Sequence, residues 1–100
     1  MVYVTASNKE EASNIGKKMV SMRLAACANV YGSVASFFRW EGKEESQEEA
    51  TLILKTKESL LEELAEAIKK EHSYSCPCVV ALPIVFADEK FAKWIETETK

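Results

Sequence analysis

The chain of 100 residues is short of most of what a self-sufficient enzyme site needs. It has one histidine, so no site within one chain can draw on two imidazoles. Its three glycines, Gly16, Gly32 and Gly42, are too scattered to form a phosphate-binding loop. Nucleophile-elbow spacing is missing as well. There are only three cysteines, an odd number that argues against a disulfide framework, and a reducing cytoplasm is the expected location. No apolar run approaches the ~20 residues that a membrane helix requires. Residues Met1 to Ala6 lack a basic region followed by a long apolar stretch, and read as a strand rather than a signal peptide. Basic runs are missing too: the longest are Lys17-Lys18 and Lys69-Lys70, in a chain of net charge -3. Nucleic-acid binding leans on phosphate neutralisation, so no nucleic acid is expected as a partner, and no membrane surface either.

What is present is an ordinary globular composition, 47% hydrophobic and 29% charged, of a length that suits one domain over residues 1–100. Residues 2–5 are β-branched and aromatic and predict a short strand. Ser7-Asn8-Lys9-Glu10 reads as a capping box for a helix over about 8–24, with Ala12, Ile15, Met19 and Met22 at helical spacing. Gly16 inside that helix suggests a close approach to a sheet. Residues 30–40 predict a second strand, with a bulge or bend at Gly32. The polar stretch 41–49 must contain a hairpin loop, and its flanks could lengthen both strands. Residues 50–56 predict a third strand. Thr56 is the expected cap of a second helix carrying Leu60, Leu61, Leu64, Ala67 and Ile68 on one face. Residues 79–86 predict a fourth strand, and Asp88 caps a last helix with Phe91, Trp94 and Ile95 on one face. The resulting order, β-α-β-β-α-β-α, predicts an α+β, ferredoxin-like βαββαβ unit with a C-terminal helix. Its antiparallel sheet should carry both long helices on one face.

One constellation could carry chemistry. His72 is followed by Cys76-Pro77-Cys78, which sets two thiolates and an imidazole close together in sequence. Thiolates are soft ligands and favour copper or zinc over magnesium or calcium. The structural alternative makes His72 a helix C-cap, Cys76 a loop residue and Cys78 a small core residue. A redox alternative makes the pair an exchange site, although catalytic dithiols more often use two intervening residues at a helix N-terminus. Cys27 lies far away in sequence and is expected to pack rather than react. Phe37 and Phe38 are adjacent, so in a regular strand one of them faces away from the helices. A second subunit is expected to cover that face.

Several segments taken together resemble one family. Arg23-Leu24-Ala25-Ala26-Cys27-Ala28-Asn29, Trp40-Glu41-Gly42-Lys43, Leu54-Lys55-Thr56, Ala81-Leu82-Pro83-Ile84 and Trp94-Ile95 are similar, in order and spacing, to the CutA divalent-cation tolerance proteins. The resemblance implies a homotrimer similar in architecture to the PII signalling proteins, with strands two and three forming a projecting hairpin. It implies a divalent metal ion as partner, copper among others, and a metal-tolerance or signalling role; the soft thiolates add zinc as the alternative, and the residues themselves offer no catalytic set. The family's metal ligands fall on Cys27 and His72. After that histidine the family reads roughly H-P-Y-E-x-P-E, whereas this chain keeps Tyr74 and Pro77 and replaces both glutamates, with Ser75 and Cys78. The expected site is therefore softer, drawing on Cys27, His72, Cys76 and Cys78. Two other readings are a thiol redox protein using Cys76 and Cys78, and a trimeric scaffold that binds partner proteins.

Overall fold

Val2, Val4 and Ala6 alternate with Tyr3 and Thr5, a period of two that turns one face of the first strand inward. In the computed structural model, which describes residues 1–100, this is β1 (Val2–Ala6), with those three residues buried. Helix α1 (Lys9–Ser21) follows and buries Ala12, Ile15, Gly16 and Met19. Its cap is Asn8, one residue later than expected: Asn8 Oδ1 accepts from the Glu11 amide at 2.8 Å, while the Ser7 hydroxyl donates to the Glu11 carboxylate instead. The close approach expected at Gly16 is present. A Cβ there would lie 3.0 Å from Ala28 Cβ and 3.1 Å from Leu52 Cδ1. The helix stops three residues earlier than its apolar spacing suggested, because Arg23 adopts a left-handed conformation with φ 58°.

Strands β2 (Cys27–Trp40) and β3 (Lys43–Lys55) form one long hairpin. Trp40 pairs with Lys43, so the loop is only Glu41-Gly42, both at positive φ, as a tight primed hairpin turn requires. The polar stretch 41–49 is thus almost entirely strand, its glutamates up to Glu48 exposed on a hairpin that makes the molecule 45 Å long and 22 Å thin. The register shifts between Tyr31 and Val34, which is the bulge anticipated at Gly32. Thr56 is not a helix cap. Its hydroxyl donates to the Leu24 carbonyl at 2.7 Å in the interior, and a 3-10 turn, Glu58–Leu60, leads into α2 (Leu61–Glu71).

Strand β4 (Val79–Ala81) is far shorter than the expected 79–86. The Leu82 amide still donates to the Met1 carbonyl, but Pro83 has no N–H to give, and no further strand of the chain lies alongside. Asp88 caps α3 (Glu89–Glu98) through the amides of Lys90 and Phe91. The sheet order is β2-β3-β1-β4 with every pairing antiparallel, the ferredoxin-like arrangement. Its core gathers Val4, Ile15, Met19, Leu24, Leu52, Leu54, Leu64 and Ile68, all almost fully buried.

Candidate functional site

The segment after α2 is tied down by three side chains before the cysteines are reached. His72 ends the helix as its C-cap and is 9% exposed. The Tyr74 amide donates to His72 Nδ1 at 3.1 Å, which leaves Nε2 as the protonated nitrogen, donating to the Thr5 carbonyl at 2.7 Å. Both ring nitrogens are therefore committed to holding this turn against β1. Within one protomer His72 does the work of a structural cap and offers no free lone pair to a metal.

Glu11 is the second tie. One carboxylate oxygen accepts from the amide and hydroxyl of Ser7, and the other accepts from the Ser73 amide at 2.9 Å. Burial alone would raise this carboxyl, but the bonds from Ser7 and Ser73 outweigh it and hold the group at about 2, against an ordinary 4.5. The stability that these bonds contribute is complete above the unfolded value and is lost as the pH falls through about 4.5 towards about 2. Glu11→Gln is expected to flatten the acid limb of stability in that window, measured by urea unfolding at a series of pH values. An unchanged limb would remove Glu11 from this role.

Tyr74 is the third tie. Its hydroxyl donates to Glu49 Oε2 at 2.8 Å and accepts from Gln47 Nε2 at 2.8 Å, bridging the loop to β3. Burial first, and then the bond to the Glu49 carboxylate, push the phenol up to about 12. Glu49 is 8% exposed, the one buried member of the acidic run. Beyond Tyr74 the chain borders an open cavity of about 550 Å³. Phe37, Phe38 and Trp40 of β2 wall it on one side, Glu45, Gln47 and Glu49 of β3 lie in it, and Cys76 and Cys78 complete it.

Of the four ligands expected from the sequence, the structure brings two together. Cys76 and Cys78 are free thiols that line the same cavity, Cys76 exposed and Cys78 half-buried. Cys27 lines a separate groove between α1 and β2, beside Gly16, Lys17 and Val20. No three His, Cys, Asp or Glu side chains of one protomer converge in a way that could hold a metal ion. Reading the sequence missed Glu11 and Glu49. Glu49 did carry a signal: counted back from the core residues Leu54, Leu52 and Ala50, it falls with Thr51 and Ile53 on the opposite face, where the loop after α2 covers it.

Residues 1–98 match the family model described as CutA1 divalent ion tolerance protein. The chain belongs to that family. The divalent-cation tolerance protein CutA of Pyrococcus horikoshii is 41% identical over 100 residues, covering 100% of this chain and 97% of the relative. The chloroplastic CutA of Arabidopsis thaliana is 40% identical over the whole chain, which spans only 55% of that protein. The chain thus covers about half of the plant CutA sequences. Among solved structures, CutA1 of Oryza sativa superposes with a TM-score of 0.96 at 41% identity, covering 99% of this chain and 91% of the other. The periplasmic divalent cation tolerance protein CutA of Archaeoglobus fulgidus gives 0.95 at 38%, with 99% and 96% covered. The names of the Pyrococcus horikoshii and Archaeoglobus fulgidus proteins describe tolerance of divalent cations.

Proposed function

We propose that this chain acts as a homotrimer that binds a divalent metal ion, copper first and zinc second, in a metal-tolerance role that involves no bond-making step. The names of its CutA relatives support the tolerance role. The observation that carries the assembly is apolar surface left bare at both edges of the sheet. After β4, Val85 is 94% exposed and Phe86 84%, while Phe37 on the opposite edge strand, β2, is 81% exposed. Patches of this kind mark an interaction surface. Two unlike patches on opposite edges suit head-to-tail contacts, which close into a ring when the rotation permits. A reducing compartment goes with this reading, since the thiols must stay free to serve as ligands.

Light scattering on the purified protein tests the assembly. The expected mass is three times the 11.2 kDa of the chain. A monomer or dimer at micromolar concentration would overturn the trimer. Equilibrium dialysis of reduced protein against copper and zinc salts tests the metal, and protein that retains neither would sink that half of the proposal.

A further inference from the structure

The cysteine loop is anchored entirely by groups other than its thiols. Ser73 is held by Glu11, and Tyr74 by His72, Gln47 and Glu49. Every one of these bonds lies ahead of Cys76, and the two sulfurs are left free beside one cavity. We propose that Cys76 and Cys78 form a complete two-sulfur site for a soft, two-coordinate cation, Cu(I) or an ion of its class, within a single protomer and without Cys27 or His72. The proposal rests on the metal-binding reading above only for its biological setting, and it names the ion class and the ligands.

Three observations carry it. The first is ligand type: thiolate sulfur selects soft ions such as Cu(I). The second is ligand number. No third His, Cys, Asp or Glu joins the pair, whereas a structural zinc site wants four ligands, so an ion content with two is favoured here. The third is reach. Cys76 lies in a bend ahead of β4, and residues two apart can have their Cα atoms at most about 7 Å apart. Two metal–sulfur bonds of about 2.3 Å, the length known for zinc thiolates, span at most about 4.6 Å between sulfurs, which two side chains converging from those positions can supply. Glu45 and Glu49 in the same cavity add a negative potential that draws a cation in.

Binding is an acid–base exchange without electron transfer. Cu(I) takes one electron pair from each sulfur, two S–H bonds break, and two protons pass to water, leaving an anionic dithiolate complex.

The test uses the full chain, reduced and metal-free, with Cu(I) supplied through a competing chelator. One ion per chain is expected, with two protons released for each ion bound. The double variant Cys76→Ser, Cys78→Ser is expected to weaken binding about 100-fold or more, beyond the 10–100-fold that outer contacts alone command. Cys27→Ser is expected to bind as the parent does. So is His72→Gln, provided that its circular dichroism matches the parent's; if it does not, Cys27→Ser carries that arm alone. A double variant binding within threefold of the parent, or a loss in Cys27→Ser equal to that in the double variant, overturns the site. A monomeric protein that binds Cu(I) through the pair would keep the site and remove the trimer. A trimer whose metal survives the double substitution would do the reverse.

Discussion

Replacing Leu52 with alanine is expected to destabilise the domain by about 2–5 kcal/mol, the range for deleting a buried leucine side chain. Leu52 is fully buried at the centre of β3, paired with Val4 on one side and Val30 on the other. Its Cδ1 lies 3.1 Å from where a Cβ on Gly16 would stand, so it is the surface on which α1 sits. The void cannot close easily. A Cβ at Gly16 would also lie only 3.0 Å from Ala28 Cβ, which means that α1 already rests close against β2 and cannot settle further towards the sheet. A domain has only about 5–15 kcal/mol in total, so this one change removes a large share. At roughly 4–8 °C per kcal/mol for a chain of this size, the thermal midpoint should fall by at least ~8 °C. Urea unfolding at fixed protein concentration measures the loss of stability, because any assembly makes the midpoint concentration-dependent. Ile53→Ala is the control: Ile53 lies on the opposite face and is only half-buried, and its loss should cost distinctly less. Equal costs for the two would mean that the helix-facing side of β3 is not the main core.

The fold was legible because its signals are local. The β-branched and aromatic residues 2–5, helical spacing from Ala12 to Met19, and Gly32 all say what the backbone does at that place, and the backbone does it. What misled was competition between neighbours that are chemically equivalent as caps. Ser7, Asn8 and Thr56 can each cap a helix. Glu11 recruits the Ser7 hydroxyl, which leaves Asn8 to cap α1, and the buried Leu24 carbonyl recruits the Thr56 hydroxyl, which leaves the second helix without a side-chain cap. The acidic run shows a different limit. A strand whose two faces both meet water carries no alternation, so residues 43–48 look like a loop although they pair residue by residue with β2. The candidate site was half legible. The two cysteines were found by their chemistry, and they do share a cavity. The role of His72 was settled by two backbone groups, the Thr5 carbonyl and the Tyr74 amide, and no sequence spacing reveals that a carbonyl 67 residues away accepts a bond. Strand β4 ends early for a similar reason: Leu82 still pairs with Met1, but past Pro83 the strand-forming Ile84, Val85 and Phe86 have no strand of their own chain alongside.

That unpaired segment gives the largest expected effect of all. The double variant Val85→Asp, Phe86→Asp is expected to turn the assembly into folded monomers. Within one protomer these side chains are almost wholly exposed, so the substitutions remove nothing from the core, and far-ultraviolet circular dichroism should stay as it was. In the proposed trimer each residue would bury apolar surface worth about 1.5–3 kcal/mol, and a carboxylate taken out of water without a partner would cost several more. Six or more kcal/mol per contact corresponds to a dissociation constant raised by over ~10⁴-fold, since 1.4 kcal/mol is a factor of ten. Light scattering should then return the 11.2 kDa of one chain where the parent gives three times that. Phe37→Asp, at the other edge of the sheet, supplies the decisive comparison. A head-to-tail ring needs both surfaces at every contact, so a charge at either edge must open it, and mixing the two variants must not restore a closed ring. If Phe37→Asp leaves the mass at three chains while the Val85, Phe86 pair abolishes assembly, the surface that meets Val85 and Phe86 is not the β2 edge, and the head-to-tail pairing of these two patches is overturned.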